Sequence, residues 1–251
     1  MAITRLKSAK SLPEMYPHPF CFAYWRDAVL ELKNLRTLII AALIIAIRVA
    51  LKQAFIPVGD SLSIYIGFIF TAVGGSLYGP VIALLAGTIT DLLGFVVAPN
   101  GAFNPLFTLI EVFTTFLYAL ILYRQKITFG RILLAKLSVN VLGNIVANSL
   151  VMALLYGKGI YYYLVPRILK NIVMLPFEVV ILAVIFGALV HPMVRIGLYG
   201  PKQNALVMKK YQYILLAAVT VVVLIAAVAV ALNYEVCKDA FKAFFDSIFM
   251  K

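Results

Sequence analysis

The chain has 251 residues, of which 64% are hydrophobic and 13% charged, with a formal net charge of +12. A soluble domain carries about 25% charged residues, so this composition excludes a soluble globular protein and points to bilayer spans of roughly 17–25 apolar residues each. The positive charge then fits Lys and Arg held at a membrane surface, and no basic-aromatic stretch reads as a nucleic-acid module.

Residues 1–34 lack the apolar core of a signal peptide. They carry Arg5, Lys7, Lys10, Arg26 and Lys33 among prolines and aromatics, which reads as a cytoplasmic arm ending in a short helix on the membrane surface. Apolar runs then predict spans at 35–54, 62–79, 81–97, 105–123, 133–155, 168–190 and 212–232. Gly79-Pro80 breaks spans two and three, and Pro99, Asn100 and Gly101 form a short turn. Gly157 to Gly159 ends span five, and Pro192 closes span six. Lys and Arg are richer in the arm, around Arg124, Lys126 and Arg131, and around Arg195, Lys202, Lys209 and Lys210, which places the N-terminus inside the cell. Cys21 and Cys237 then fall on opposite sides of the membrane and imply neither a disulfide framework nor a metal site.

An ionisable side chain near the bilayer centre costs about 2.5–3.5 kcal/mol on insertion scales. Arg48, Asp91, Glu111, Lys170 and Glu178 lie in the spans, all toward the outer half or the midplane. Arg167, Asn171, Met174 and Glu178 share one helix face, and so do Asn140, Asn144 and Asn148. The asymmetry suggests a polar cavity open outward and closed below. Structural alternatives stand beside it. The asparagines can be interhelical glue, Arg48 can pair with Asp91 or Glu111, Glu178 can serve backbone groups freed by Pro176, and Lys52, Lys158 and Arg167 can be solvated loop charges. Ala42, Ala46 and Ala50, four apart on span one, form a small-residue face, as do Gly74, Gly75, Gly79, Ala83 and Gly87 on spans two and three. Such faces suit helix packing within the bundle or docking of a partner membrane protein.

No P-loop, dinucleotide fingerprint, zinc-protease, C-x-x-C or nucleophile-elbow motif occurs, and neither His18 nor His191 falls near the expected cavity. An intramembrane enzyme is disfavoured, and no cofactor or metal is implied.

Three segments carry a family likeness. They are Glu31-Leu-Lys-Asn-Leu-Arg36 with Ala46-Ile-Arg48-Val-Ala50-Leu51; Gly87-Thr-Ile-Thr-Asp91-Leu-Leu-Gly94 with Pro99-Asn-Gly101-Ala-Phe103-Asn104-Pro-Leu-Phe107-Thr108; and Leu154-Leu-Tyr-Gly157-Lys-Gly159 with Pro166-Arg167-Ile-Leu-Lys170-Asn171-Ile-Val-Met174-Leu-Pro176. Over residues 29–195 the chain resembles folate-type S components of energy-coupling factor (ECF) transporters. The resemblance implies an all-α integral membrane fold with a six-helix S-component bundle, to which the apolar pattern adds a C-terminal transmembrane helix. The chain thus divides into an arm (1–34), a six-helix core (35–195), a linker (196–211), an appended helix (212–232) and a tail (233–251). The resemblance further implies a multi-pass cell-membrane protein without its own ATPase site. Such a protein captures a vitamin outside and delivers it with a membrane coupling subunit and two cytosolic ATPases. For a folate, Arg48, Lys52, Arg167 and Lys170 would meet carboxylates, Phe103 and Phe107 would stack on rings, and Asp91, Asn104, Thr108, Asn171 and Glu178 would complete the pocket. Ala42, Ala46 and Ala50 would dock the coupling subunit. Glu111 departs from the pattern where a smaller residue is expected, as do the long arm and the seventh span. Riboflavin or pantothenate as cargo, or a non-transport membrane protein, are the competing readings.

Overall fold

The computed structural model describes residues 15–16, 18–52, 55–57, 63–99, 102–157, 159–200 and 218. The expected seventh span, Lys158, Asn100, Gly101 and Cys237 lie outside the described residues.

Helix α1 (Phe22–Leu30) runs through a short 3-10 turn (Glu31–Lys33) into α2 (Leu35–Leu51). A two-stranded antiparallel hairpin follows, β1 (Phe55–Pro57) on β2 (Ser63–Tyr65), with Ile56 opposite Ile64. It is a small non-helical addition to the all-helical core that the sequence predicts. Then come α3 (Phe68–Val97), α4 (Pro105–Leu122), α5 (Phe129–Ser138), a π-helical stretch (Val139–Ala147), α6 (Asn148–Tyr156) and α7 (Ile160–Arg195). Four continuous helical segments, Phe68–Val97, Pro105–Leu122, Phe129–Tyr156 and Ile160–Arg195, are long and apolar enough to cross a membrane.

Helix α3 is two limbs. Gly79 has φ +79° and ψ 175°, and Pro80 starts the second limb, where its missing N–H costs nothing. A Cβ on Gly75 would meet the backbone of Ala119, and one on Gly79 would meet the Tyr123 ring. In the second limb a Cβ on Gly87 would meet Val112, and Asp91 bonds Thr108. Partner numbers rise with the first limb and fall with the second, so the chain reverses at Gly79. The described core therefore has six legs: α2, the two limbs of α3, α4, the continuous 129–156 helix, and α7. The glycines of α3 are bundle-packing residues, all buried, with Gly75 and Gly87 placed where another backbone approaches closely.

The apolar core fills one end of the bundle. Leu117, Leu122, Ile127, Ile132, Leu182, Phe186, Val190 and Tyr199 form its main cluster, and the Tyr199 hydroxyl meets Ser76 Oγ at 2.6 Å. At that same end α1 is pinned to the end of α4. Arg124, just past α4 with a left-handed φ of +48°, pairs with Asp27 and donates to Glu31 at 2.9 Å. Tyr24 bonds the carbonyls of Ala119 and Leu120, and Trp25 stacks on Phe116.

Burial alone would raise the Glu31 carboxyl, but hydrogen bonds from Thr37, Arg124 and Asn34 outweigh it and hold the group below its ordinary value. A carboxyl lowered in the folded state stabilises above its unfolded pKa, and that contribution fades as pH falls through the folded value. The melting temperature of the solubilised protein is expected to fall more steeply on acidification from pH 7 to about 3 than that of Glu31→Gln. Parallel curves for the two proteins would remove Glu31 from this role.

Candidate binding cavity

At the other end the six legs part around a cavity of about 1030 Å³. Its lining includes Arg48, Lys52, Asp91, Phe103, Asn104, Phe107, Glu111, Lys136, Arg167, Lys170, Asn171 and Glu178. Of the eleven candidate site residues, ten line this one space. The eleventh, Thr108, sits behind it and donates to Asp91 Oδ2 at 2.7 Å.

Each element delivers its side chains for a local reason. The last turn of α2 carries Arg48, and the C-cap that follows it is Lys52, four residues on and on the same face. Asn104 caps α4, its Oδ1 accepting from Leu106 N at 2.9 Å, with Pro105 at the first helical position. That cap seats Phe103, which packs its ring 5.3 Å from Phe95, at the entrance. The π-helical stretch lies in the middle of a transmembrane leg, a placement common at functional sites. It stacks Asn144 on Asn140 through a 3.1 Å bond, and Asn144 and Asn148 reach the cavity. Helix α7 runs along the wall from Arg167 to Glu178, eleven residues or about 16 Å of axial rise. Asn171 is buried and spends one N–H on the Arg167 carbonyl at 2.8 Å.

The charges are paired more tightly than the sequence alone suggests. Arg48, 3% exposed, pairs with Glu111 and donates to Thr115 at 3.1 Å, so it is a structural cation before it is a ligand-binding one. Glu111 is the carboxylate that makes Arg48 tolerable there. Lys52 pairs with Asp91 at 2.7 Å and its stem lies over Gly94; it is not a solvated loop charge. Glu178 does not serve the backbone groups freed by Pro176. One oxygen holds Lys136 Nζ at 2.9 Å and the other accepts from Asn140 at 3.2 Å.

Lys136 is the functional residue that the sequence reading leaves out. It is 2% exposed and lies deep in the wall, with its ammonium 4.3 Å from the Phe68 ring centre. Five cations line the cavity against three carboxylates, an excess of two positive charges. All three carboxylates have a cationic partner, and Arg167 has no carboxylate within ion-pair distance, among the described residues. Two further lining groups, Thr90 Oγ and the Tyr118 hydroxyl, are buried with no hydrogen-bond partner among the described residues.

Ala42, Ala46 and Ala50 all face outward from α2, exposed, rather than packing within the bundle.

A helical membrane bundle with a large polar cavity at one end and a closed apolar core at the other is a membrane-embedded solute-binding protein. Residues 36–186 match the family described as "ECF transporter, substrate-specific component", and the chain belongs to that family. It is 30% identical over 157 residues to the folate transporter FolT of Clostridium novyi (strain NT), covering 62% of this chain and 90% of that one. It is 26% identical over 151 residues to the folate transporter FolT of Leuconostoc mesenteroides, covering 57% of this chain and 80% of that one. Among solved structures it resembles a crystal structure of FolT bound with folic acid. That match has a TM-score of 0.55 and 27% identity, and covers 59% of this chain and 90% of that one.

Proposed function

We propose that this S component captures folate. The observation that carries the reading is the composition of the cavity wall: an excess of two cations, with Arg167 and Lys170 toward one end of the α7 stretch that runs about 16 Å from Arg167 to Glu178. Folate is a flat heteroaromatic ring joined through a spacer to a glutamate with two carboxylates. Its dianionic end matches Arg167 and Lys170, where guanidinium can hold a carboxylate through two hydrogen bonds. Its ring edge, with donors and acceptors, suits the Glu178, Asn144 and Tyr118 region, while Phe103 and Phe107 offer apolar faces. In this reading Arg48, Lys52, Asp91 and Thr108 hold the wall, Asn104 fixes the entrance helix, and Asn171 supports Arg167. A cationic vitamin such as thiamine would meet the wrong sign of charge, and riboflavin and pantothenate would leave part of the positive charge unmatched.

The cavity end faces outward and α1 lies inside, because Arg36, Arg124, Lys126, Arg131 and Arg195 gather at the end opposite the cavity. In this reading the family's membrane coupling subunit and two ATPases deliver the cargo, which fits a chain with no P-loop of its own. The exposed Ala42, Ala46 and Ala50 face is the place for that coupling subunit. Ala46→Leu is expected to leave folate affinity unchanged and to abolish uptake in cells that express the full transporter. Loss of affinity with uptake per bound folate preserved would place that face elsewhere.

A thermal-shift panel tests the ligand. Folate in hundredfold excess over Kd stabilises the purified protein by about 2.7 kcal/mol, and riboflavin, pantothenate and thiamine do not. Stabilisation by another vitamin and not by folate reassigns the cargo.

A further inference from the structure

We propose that α1 is an interfacial helix whose outward face seats in an anionic lipid surface. This does not rest on the folate reading. The segment Phe22–Lys33 meets α2 at 82°. Since α2 crosses the bilayer, α1 lies nearly in its plane. Its depth follows from its contacts on α4, which ends at Leu122. Tyr24 reaches the carbonyls of Ala119 and Leu120, and Trp25 stacks on Phe116, six residues or about 9 Å from that end. A helix held within the last two turns of a span sits in the headgroup–acyl boundary, where interfacial helices bury their apolar faces by about 5–10 Å.

The two faces of α1 differ in chemistry. Tyr24 and Ala28 are fully buried on the docked side, and both acids, Asp27 and Glu31, turn toward Arg124. The outward stripe is Phe22, Arg26, Val29, Leu30 and Lys33, spaced at helical intervals and all exposed. Phe20 and Phe22 are 85% and 84% exposed. Arg26 touches Asp27 at 3.7 Å yet leaves 63% of its side chain free. Apolar groups flanked by bases, with no acid left on that face, match a leaflet rich in anionic headgroups, and the Arg and Lys stems can reach the headgroups while their neighbours stay in the acyl region.

The full chain has one tryptophan, Trp25, so a single probe can be moved to the outward face as W25F/F22W. The chain is reconstituted in vesicles of phosphatidylcholine with or without phosphatidylglycerol, using acyl chains brominated at shallow or deep positions. Emission from F22W is expected to be quenched at least about twofold, more by shallow than by deep bromines. Phosphatidylglycerol is expected to increase the quenching, and adding R26E/K33E to abolish that increase. Native Trp25, read in the unmodified chain, is quenched less, because Phe116 covers it. An F22W probe untouched by brominated lipid would show that water or a protein partner covers this face. Quenching indifferent to phosphatidylglycerol and to R26E/K33E would overturn the anionic part.

Discussion

Lys136→Met is expected to destabilise the protein by about 3 kcal/mol, at the lower end of the range for removing one partner of a buried ion pair. The substitution keeps the length of the side chain and removes its charge. Glu178 is then left in the membrane interior with Asn140 as its hydrogen-bond partner among the described residues and with Lys170 as the remaining cation that acts on it, its side chain 14% exposed to a cavity that supplies some solvation. The cation over the Phe68 ring is lost as well. The double variant Lys136→Met, Glu178→Gln is expected to recover most of the loss, because no uncompensated charge remains and Gln can still meet Asn140. Unfolding in a denaturing-detergent titration measures both. A single variant as stable as the native chain, or a double variant no better than the single, would mean that Lys136 and Glu178 do not depend on each other.

Arg167→Glu is expected to weaken folate binding at least about a hundredfold while leaving the fold intact. A hydrogen bond to a charged group is worth about 1.5–3 kcal/mol, which is roughly ten- to a hundredfold in affinity, and the introduced carboxylate adds repulsion. The substitution also cancels the cavity's excess of two positive charges. Arg167 is the right cation to change, because it makes no ion pair among the described residues, so its loss strands no carboxylate. Arg48 is the wrong one, since its removal would leave the half-buried Glu111 without its cationic partner. Titration of purified protein with folate checks the affinity, and an unchanged melting temperature without ligand shows that folding is not the cause. Affinity within about threefold of native would move the carboxylates away from α7.

The spans and the reversal at Gly79-Pro80 are legible in the sequence, because bilayer thickness fixes apolar run length and a glycine-proline pair cannot continue a helix. The gathering of polar residues at one end is legible for the same reason: an unexplained charge in a span is expensive. Lys136 escapes because the helix begins at Phe129, four residues before the apolar run suggests. A lysine that looks close to the membrane surface is therefore about 10 Å into the helix. Partner choice also escapes. Arg48 takes Glu111 and leaves Asp91 to Lys52, a choice set by the register of α2 against α3 and α4 that no single helix encodes. The exposed alanines of α2 and the buried glycines of α3 have the same small-residue spacing, and only the packed bundle separates a free face from an internal one.

Equilibrium binding of radiolabelled folate to the purified chain in lipid nanodiscs is the most direct test. One saturable site per chain, competed by unlabelled folate and weakened by Arg167→Glu, is the predicted result. Should labelled folate fail to saturate, or should Arg167→Glu bind it as tightly as the native chain, the cavity's paired and surplus charges would belong to some other ligand.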